Sequence, residues 1–228
     1  MATPTIVLTS DDVAKTPPGV SQVPLSIKCN PDGSLLTYLF PNHQGVRQVY
    51  AVDLTKKAEG YVPYKLFDAT TAGSGTDSLA EQLRKERMRL FVNGVSQYEW
   101  ASQPAGTNSN VRRIMLPLHG SVLLYESNPS DISGVPSSAP LQVLYDSTTT
   151  GESAVDPQLS PTGNAVAFVL NDDLYVQYLS STQTPCPPIR ITTNGSHAGI
   201  SCGVADFIAQ VTNLENLCRK PLMTYLTM

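Results

Sequence analysis

Charge is scarce in this sequence. Asp, Glu, Lys and Arg make up 15% of its 228 residues, against about 25% in an ordinary globular chain. The deficit points to strands joined by neutral loops, not to charged helices. Fifteen basic residues against nineteen acidic ones leave a formal net charge of −4. Such a chain offers no positive field to a polyanion, which sets nucleic acid aside as a partner. No apolar run approaches the roughly 18 residues that a spanning helix needs. Residues 1–30 hold no basic stretch followed by an apolar core of the secretory kind. The expectation is a cytoplasmic protein with no membrane partner. The four cysteines, Cys29, Cys186, Cys202 and Cys218, are too scattered for a zinc motif and too few for a disulfide framework. They read as reduced thiols. His43, His119 and His197 lie far apart and outside any metal-binding spacing, so they read as surface or structural residues. Gly73-Ser74-Gly75 lacks the Gly-Lys-Ser ending of a phosphate loop. No cofactor and no metal site is expected.

A strand unit occurs twice. Cys29-Asn30-Pro31-Asp32-Gly33-Ser34 leads into Leu35-Leu36-Thr37-Tyr38-Leu39-Phe40, and Leu159-Ser160-Pro161-Thr162-Gly163-Asn164 leads into Ala165-Val166-Ala167-Phe168-Val169-Leu170. The two prolines are 130 residues apart (161 − 31). Pro presets φ at the turn and Gly accepts φ > 0, so each unit is a turn delivering a strand. A second apolar-alternating run follows each, Gln48–Leu54 and Asp173–Leu179. Turn, strand, turn, strand is the grammar of a β-propeller blade. A blade period of about 40–45 residues puts one further blade between the two copies.

Along the chain, residues 1–20 carry no lasting periodicity and read as a lead-in. The first blade takes its strands from Val23–Lys28, Ser34–Phe40, Val46–Leu54 and Val62–Phe67. In the third of these, Tyr50, Val52 and Leu54 alternate with Ala51 and Asp53, which suits a strand with one buried face. Residues Asp77–Phe91 differ in kind. Ser78 and Glu81 form a capping box, Leu79, Leu83 and Leu90 recur near helical spacing, and Asn93-Gly94 stops the helix. Its Arg84, Lys85, Arg87 and Arg89 either coat a solvated connector or face an acidic partner. Val95–Trp100, Val111–Leu116, Ser121–Glu126 and Leu141–Asp146 supply the middle blade, with Trp100, the only tryptophan, packed between blades. The third blade runs from about Ser153 through Asn164–Leu170 and Asp173–Leu179 to Ile189–Thr192. Asp172-Asp173 falls in a tight turn, where aspartate bonds locally. The fold class is therefore all-β: a partial β-propeller of about three four-stranded blades with one inserted helix.

Three stretches carry a family resemblance: Leu83–Leu90 running into Gly94–Trp100; Asp156–Gly163 with Ala167–Val169 and Asn171–Val176; and Ile189–Thr192 through Gly203–Gln210. In this order and spacing they resemble the amino-terminal propeller of the dipeptidyl peptidase IV group of prolyl-oligopeptidase-like serine peptidases, and within it the cytosolic branch. The likeness covers roughly residues 20–210. It implies a propeller that restricts access to an active site and helps position a peptide, in enzymes that remove N-terminal X-Pro dipeptides. In that family the run ending at Gln210 leads into a glutamate pair that binds the substrate's free amino group. Here Val211 and Thr212 occupy the place, and neither supplies the charge that holds an ammonium; Glu215 stands alone. Residues 211–228 show no likeness and form a divergent tail. The expected division is 1–20 lead-in, 21–210 partial propeller and 211–228 tail.

Gly199-Ile200-Ser201-Cys202-Gly203 matches the nucleophile pattern of serine hydrolases, but a loop precedes it and no histidine follows it. No catalytic and no substrate-binding residue is expected. The chain reads as a truncated, non-catalytic propeller portion. A scaffold protein that binds partners through blade edges and rim loops is the second reading. Unclosed blade faces are expected to drive self-association or to recruit chaperones.

Overall fold

The computed structural model of the protein describes residues 9–10, 23–43, 45–69, 82–83, 86, 93–102, 111–127, 141–179, 186–195 and 202–203. Three antiparallel four-stranded sheets follow one another along the chain, each a meander in sequence order. Sheet 1 comprises β1 (Leu25–Cys29), β2 (Leu35–Pro41), β3 (Val46–Asp53) and β4 (Tyr64–Lys65). A two-residue strand, β5 (Asn93–Gly94), pairs in parallel with the start of β3. Sheet 2 comprises β6 (Glu99–Trp100), β7 (Arg112–Leu118), β8 (Ser121–Ser127) and β9 (Gln142–Tyr145). Sheet 3 comprises β10 (Val155–Leu159), β11 (Ala165–Leu170), β12 (Asp173–Tyr178) and β13 (Ile189–Arg190). A single helical turn, α1 (Ser147–Thr150), follows β9. The Asp146 carboxylate caps it by accepting from Thr148 N at 2.9 Å, and it ends at Gly151.

The sequence repeat is a structural repeat down to its irregularities. In sheet 1, Asn30 N donates to Leu35 O and Gly33 N to Asn30 O, while the Asn30 side chain accepts from Leu35 N at 2.9 Å. In sheet 3, Ser160 and Gly163 make the same two backbone bonds, and the Ser160 hydroxyl accepts from Ala165 N at 3.0 Å. The short polar side chain before each proline therefore closes the turn that launches the second strand. Both first strands carry a bulge, with Ser26 at φ 51° and Asp156 at φ 47°. The register on either side shifts identically, Leu25 opposite Leu39 and Lys28 opposite Thr37 in one, Val155 opposite Val169 and Gln158 opposite Ala167 in the other. The bulge strengthens the local twist of the strand.

The core lies between the sheets. Leu39, Val49, Ala51 and Phe67 of sheet 1 pack against Trp100, Ile114, Leu116 and Tyr125 of sheet 2. Met115, Val122, Leu124 and Tyr145 on the other side of sheet 2 pack against Leu159, Val166, Phe168 and Leu170 of sheet 3. Tilted ring pairs join each layer, Phe67 with Tyr125 at 5.0 Å and Tyr145 with Phe168 at 5.2 Å between centroids. Sheets stacked face to face in chain order are the arrangement of propeller blades.

Several expectations change. The buried face of β3 is the one carrying Val49 and Ala51, both fully buried, whereas Tyr50 is only half-buried. Alternation marks two faces but does not name the one that meets a neighbour. Asp173 is not a turn residue with local bonds. It opens β12, is buried, and accepts from Thr192 Oγ1 at 2.7 Å and Gly195 N at 2.9 Å, 19 and 22 residues away. Asn93-Gly94 forms β5 and ties the approach to sheet 2 onto β3. Of the helix expected at 77–91, Gln82, Leu83 and Glu86 are described and are helical; the remainder lies outside the described residues. So do the tail at 211–228 and, apart from Thr9 and Ser10, the lead-in at 1–20.

Candidate functional site

Polar chemistry in the described residues concentrates at the two seams between sheets. Arg112 and Arg113 open β7 side by side, and strand geometry sends adjacent side chains to opposite faces. Arg112 forms an ion pair with Asp32 in the Pro-Asp-Gly turn of sheet 1. Arg113 donates through Nη1 to Gly163 O at 2.8 Å, in the matching turn of sheet 3, and through Nε to Glu126 at 2.7 Å. The middle sheet thus holds the repeated turn of each neighbour with one arginine. Gly163 sits so close that a Cβ there would lie 2.9 Å from that of Ala101. Burial raises the Asp32 carboxyl, but hydrogen bonds from Ser34 and the Arg112 charge outweigh it and leave the pKa below its ordinary value.

The first seam also carries a polar knot centred on the buried Thr37, Tyr98 and Trp100. Thr37 Oγ1 donates to Lys28 O at 3.1 Å and accepts from Trp100 Nε1 at 2.9 Å. The Tyr98 hydroxyl donates to Ser26 O at 2.7 Å and lies 3.0 Å from Thr37 Oγ1. Lys28 Nζ donates to Tyr98 O at 2.8 Å and stands 5.3 Å from that ring's centroid. Burial pushes the Tyr98 phenol up to about 12, so it stays a neutral donor. The second seam is bridged by Leu159 N donating to the Glu99 carboxylate at 3.1 Å and Gln177 Nε2 donating to Leu144 O at 2.9 Å.

A third device recurs where the chain passes from sheet to sheet. Val95 N donates to Arg47 O, and Ala154 N donates to Gly120 O. Each carbonyl lies at the start of a sheet's third strand, and each donor shortly precedes the first strand of the following sheet. The same clasp appears once more, Cys202 N to Asp172 O at 2.7 Å.

His43 is exposed in the β2–β3 turn, and the backbone carbonyl of His119 accepts from Ser147 Oγ at 2.8 Å. Ser201, His197, Arg84, Lys85, Arg87, Arg89, Val211, Thr212 and Glu215 lie outside the described residues, as does Cys218. Cys29, Cys186 and Cys202 are free thiols. Among the described residues no three His, Cys, Asp or Glu side chains gather to hold a metal ion. No described helix is long and apolar enough to cross a membrane. The Arg112–Arg113 clamp went unread in the sequence. Its one signal was a pair of like charges opening an otherwise apolar strand.

Comparison with known families bears directly on the sheets joined by this clamp. Residues 108–212 match the family model described as the dipeptidyl peptidase IV (DPP IV) N-terminal region. Those residues are similar to the DPP IV N-terminal region. The match takes in β7 to β13, including Arg112, Arg113, the Gly163 turn and the Cys202 clasp. Sheet 1 precedes the matched residues and repeats the first-strand bulge and turn of sheet 3.

Proposed function

We propose that this chain is a non-catalytic N-terminal propeller portion of a DPP IV-like serine exopeptidase, located in the cytoplasm. In that role the stacked sheets are a rigid wall that restricts access and helps position a peptide, while the chemistry belongs to groups this chain does not supply. The family match over β7 to β13 is the observation that carries the reading. The seams support it. Their arginines, tyrosine and threonine are engaged between sheets, in keeping with a structural part. The test is incubation of the full chain with a fluorogenic X-Pro dipeptide substrate. The expected result is release no faster than in buffer; dipeptide release abolished by a serine-directed inhibitor would overturn the reading.

A second reading, an interaction scaffold, is favoured by one observation. Tyr178, Ile189 and Ile191 are each about half exposed (50%, 51% and 50%) at the outer margin of sheet 3. Ile189 pairs with Val176 and Tyr178 with Ala165, so both lie on the sheet face turned away from sheet 2. Exposed apolar surface of this kind favours association with another protein, a second copy or a chaperone. Light scattering should show species larger than a monomer that diminish in Ile189→Ser/Ile191→Ser. A monodisperse monomer would remove this reading and leave the first standing.

A further inference from the structure

Arg47 is a buried charge that neither seam uses. It lies at the start of β3, opposite Pro41 on one side and Gly94 on the other, and is 3% exposed. Alternation puts it on the strand face of Val49 and Ala51. Among the described residues its side chain has neither a hydrogen-bond acceptor nor an acidic partner. The one carboxylate in β2, β3 and β5 is Asp53, at the far end of β3, where it accepts from Thr55 N and Oγ1 at 2.8 and 2.6 Å. Burial lowers the Arg47 pKa, and no neighbouring charge offsets it. An arginine nonetheless keeps its charge in a protein, and a buried charge is costly unless paired. The backbone clasp does not require this side chain. It uses only the Arg47 carbonyl, and Gly120 and Asp172 supply the same carbonyl in sheets 2 and 3.

We propose that Arg47 anchors a binding site for a small oxyanion, a phosphate or carboxylate group, at the end of sheet 1 that carries the β2–β3 turn. A guanidinium presents parallel N–H donors that match the paired oxygens of either group. The surroundings favour the pairing. Leu39 and Val49, the next pair along the same face, are 1% and 0% exposed, and an ion pair gains strength where water is excluded. Gly94 adds no side chain beside the arginine, and a Cβ there would lie 2.4 Å from Arg47 O. The guanidinium is not sealed off, for none of its nitrogens is among the fully enclosed, unpartnered atoms of the described residues. The turn beside it is held by its own bonds: Asn42 N donates to Val46 O at 2.8 Å, Gly45 N to Asn42 O at 2.9 Å and Val46 N to Asn42 Oδ1 at 2.9 Å. The site stands independently of the peptidase-family reading.

The experiment is urea unfolding of the full chain near neutral pH, in chloride, inorganic phosphate or acetate at equal ionic strength. About 20 mM phosphate or acetate should lower the unfolding equilibrium constant saturably, by roughly tenfold for the better-fitting anion, as binding to the folded chain alone requires. Which anion acts more strongly identifies the group that the site takes. Arg47→Met should lose the response, and in chloride it should unfold no more readily than the unsubstituted chain, because it removes an unpaired buried charge. Arg47→Lys keeps the charge without the fork and should respond several-fold more weakly. Arg112→Met should respond in full. No effect of either anion beyond chloride would overturn the proposal, and so would an equal response in Arg47→Met, the mark of a general salt effect. If Arg47→Met does not fold, titration calorimetry decides: saturable single-site heat that weakens in Arg47→Lys supports the site, and no heat with either anion refutes it.

Discussion

Arg112 and Arg113 are neighbours in sequence with different physical roles. Their ion pairs are alike in burial, Arg113 at 7% with Glu126 at 42% and Arg112 at 12% with Asp32 at 40%; Arg113 differs in also donating to the buried Gly163 O. A surface ion pair contributes about 0–1 kcal/mol; a buried charge-assisted bond to a carbonyl that otherwise goes unpaired contributes about 1.5–3 kcal/mol. Urea unfolding should show Arg113→Met losing roughly 2–4 kcal/mol and Arg112→Met less than about 1. Equal losses would mean that the bond to Gly163 O adds nothing to the hold of Arg113. Asp173 adds a pH dependence. Burial raises its pKa, but hydrogen bonds from Thr192, Gly195 N and Arg190, with the Arg190 charge, outweigh it and hold the carboxyl below its ordinary value. A depressed folded pKa stabilises the protein above the unfolded pKa and is lost as pH falls through the folded one. Stability should therefore decline on acidification below about pH 4, and Asp173→Asn should flatten part of that decline. An unchanged slope in denaturant melts from pH 6 to about pH 3 would refute it.

At the scale of elements, the twelve strands of the three sheets were legible because each sheet is local. A meander needs only alternation plus turn chemistry, and Asn30-Pro31-Asp32-Gly33 and Ser160-Pro161-Thr162-Gly163 state both. What alternation could not tell was the side on which each sheet meets its neighbour. Both faces of β7 are apolar, and β3 turned out to bury Val49 and Ala51 instead of Tyr50. Nor could it show Asp173 bonding to Thr192 and Gly195, because those partners are distant in sequence. The two turn glycines separate local from inter-sheet effects. Gly33 (φ +71°) has open space around a Cβ, whereas Gly163 (φ +67°) has the Ala101 Cβ at 2.9 Å. Gly33→Ala should cost about 1–2 kcal/mol from left-handed backbone alone. Gly163→Ala should cost at least ~1 kcal/mol more, from overpacking against sheet 2. Matching costs in thermal or urea melts would show that sheets 2 and 3 are not in tight contact at that turn.

For the whole molecule, the account joins two independent lines. Residues 108–212 match the model of the DPP IV N-terminal region, and the chain ahead of them repeats the same sheet and stacks on it through a buried core and polar knot. The family likeness was visible in the order of three modest motifs, but the seams that make the sheets one body were not, since they join residues from 33 to 80 (112 − 32) positions apart. The central claim is that consecutive sheets are coupled face to face, and a double-mutant cycle on the bond from Trp100 Nε1 to Thr37 Oγ1 tests it most directly. Thr37→Val and Trp100→Phe should each destabilise the chain in urea, and the pair should show a coupling of about 0.5–1.5 kcal/mol. Strict additivity of the two substitutions would contradict the stacking of sheet 1 on sheet 2.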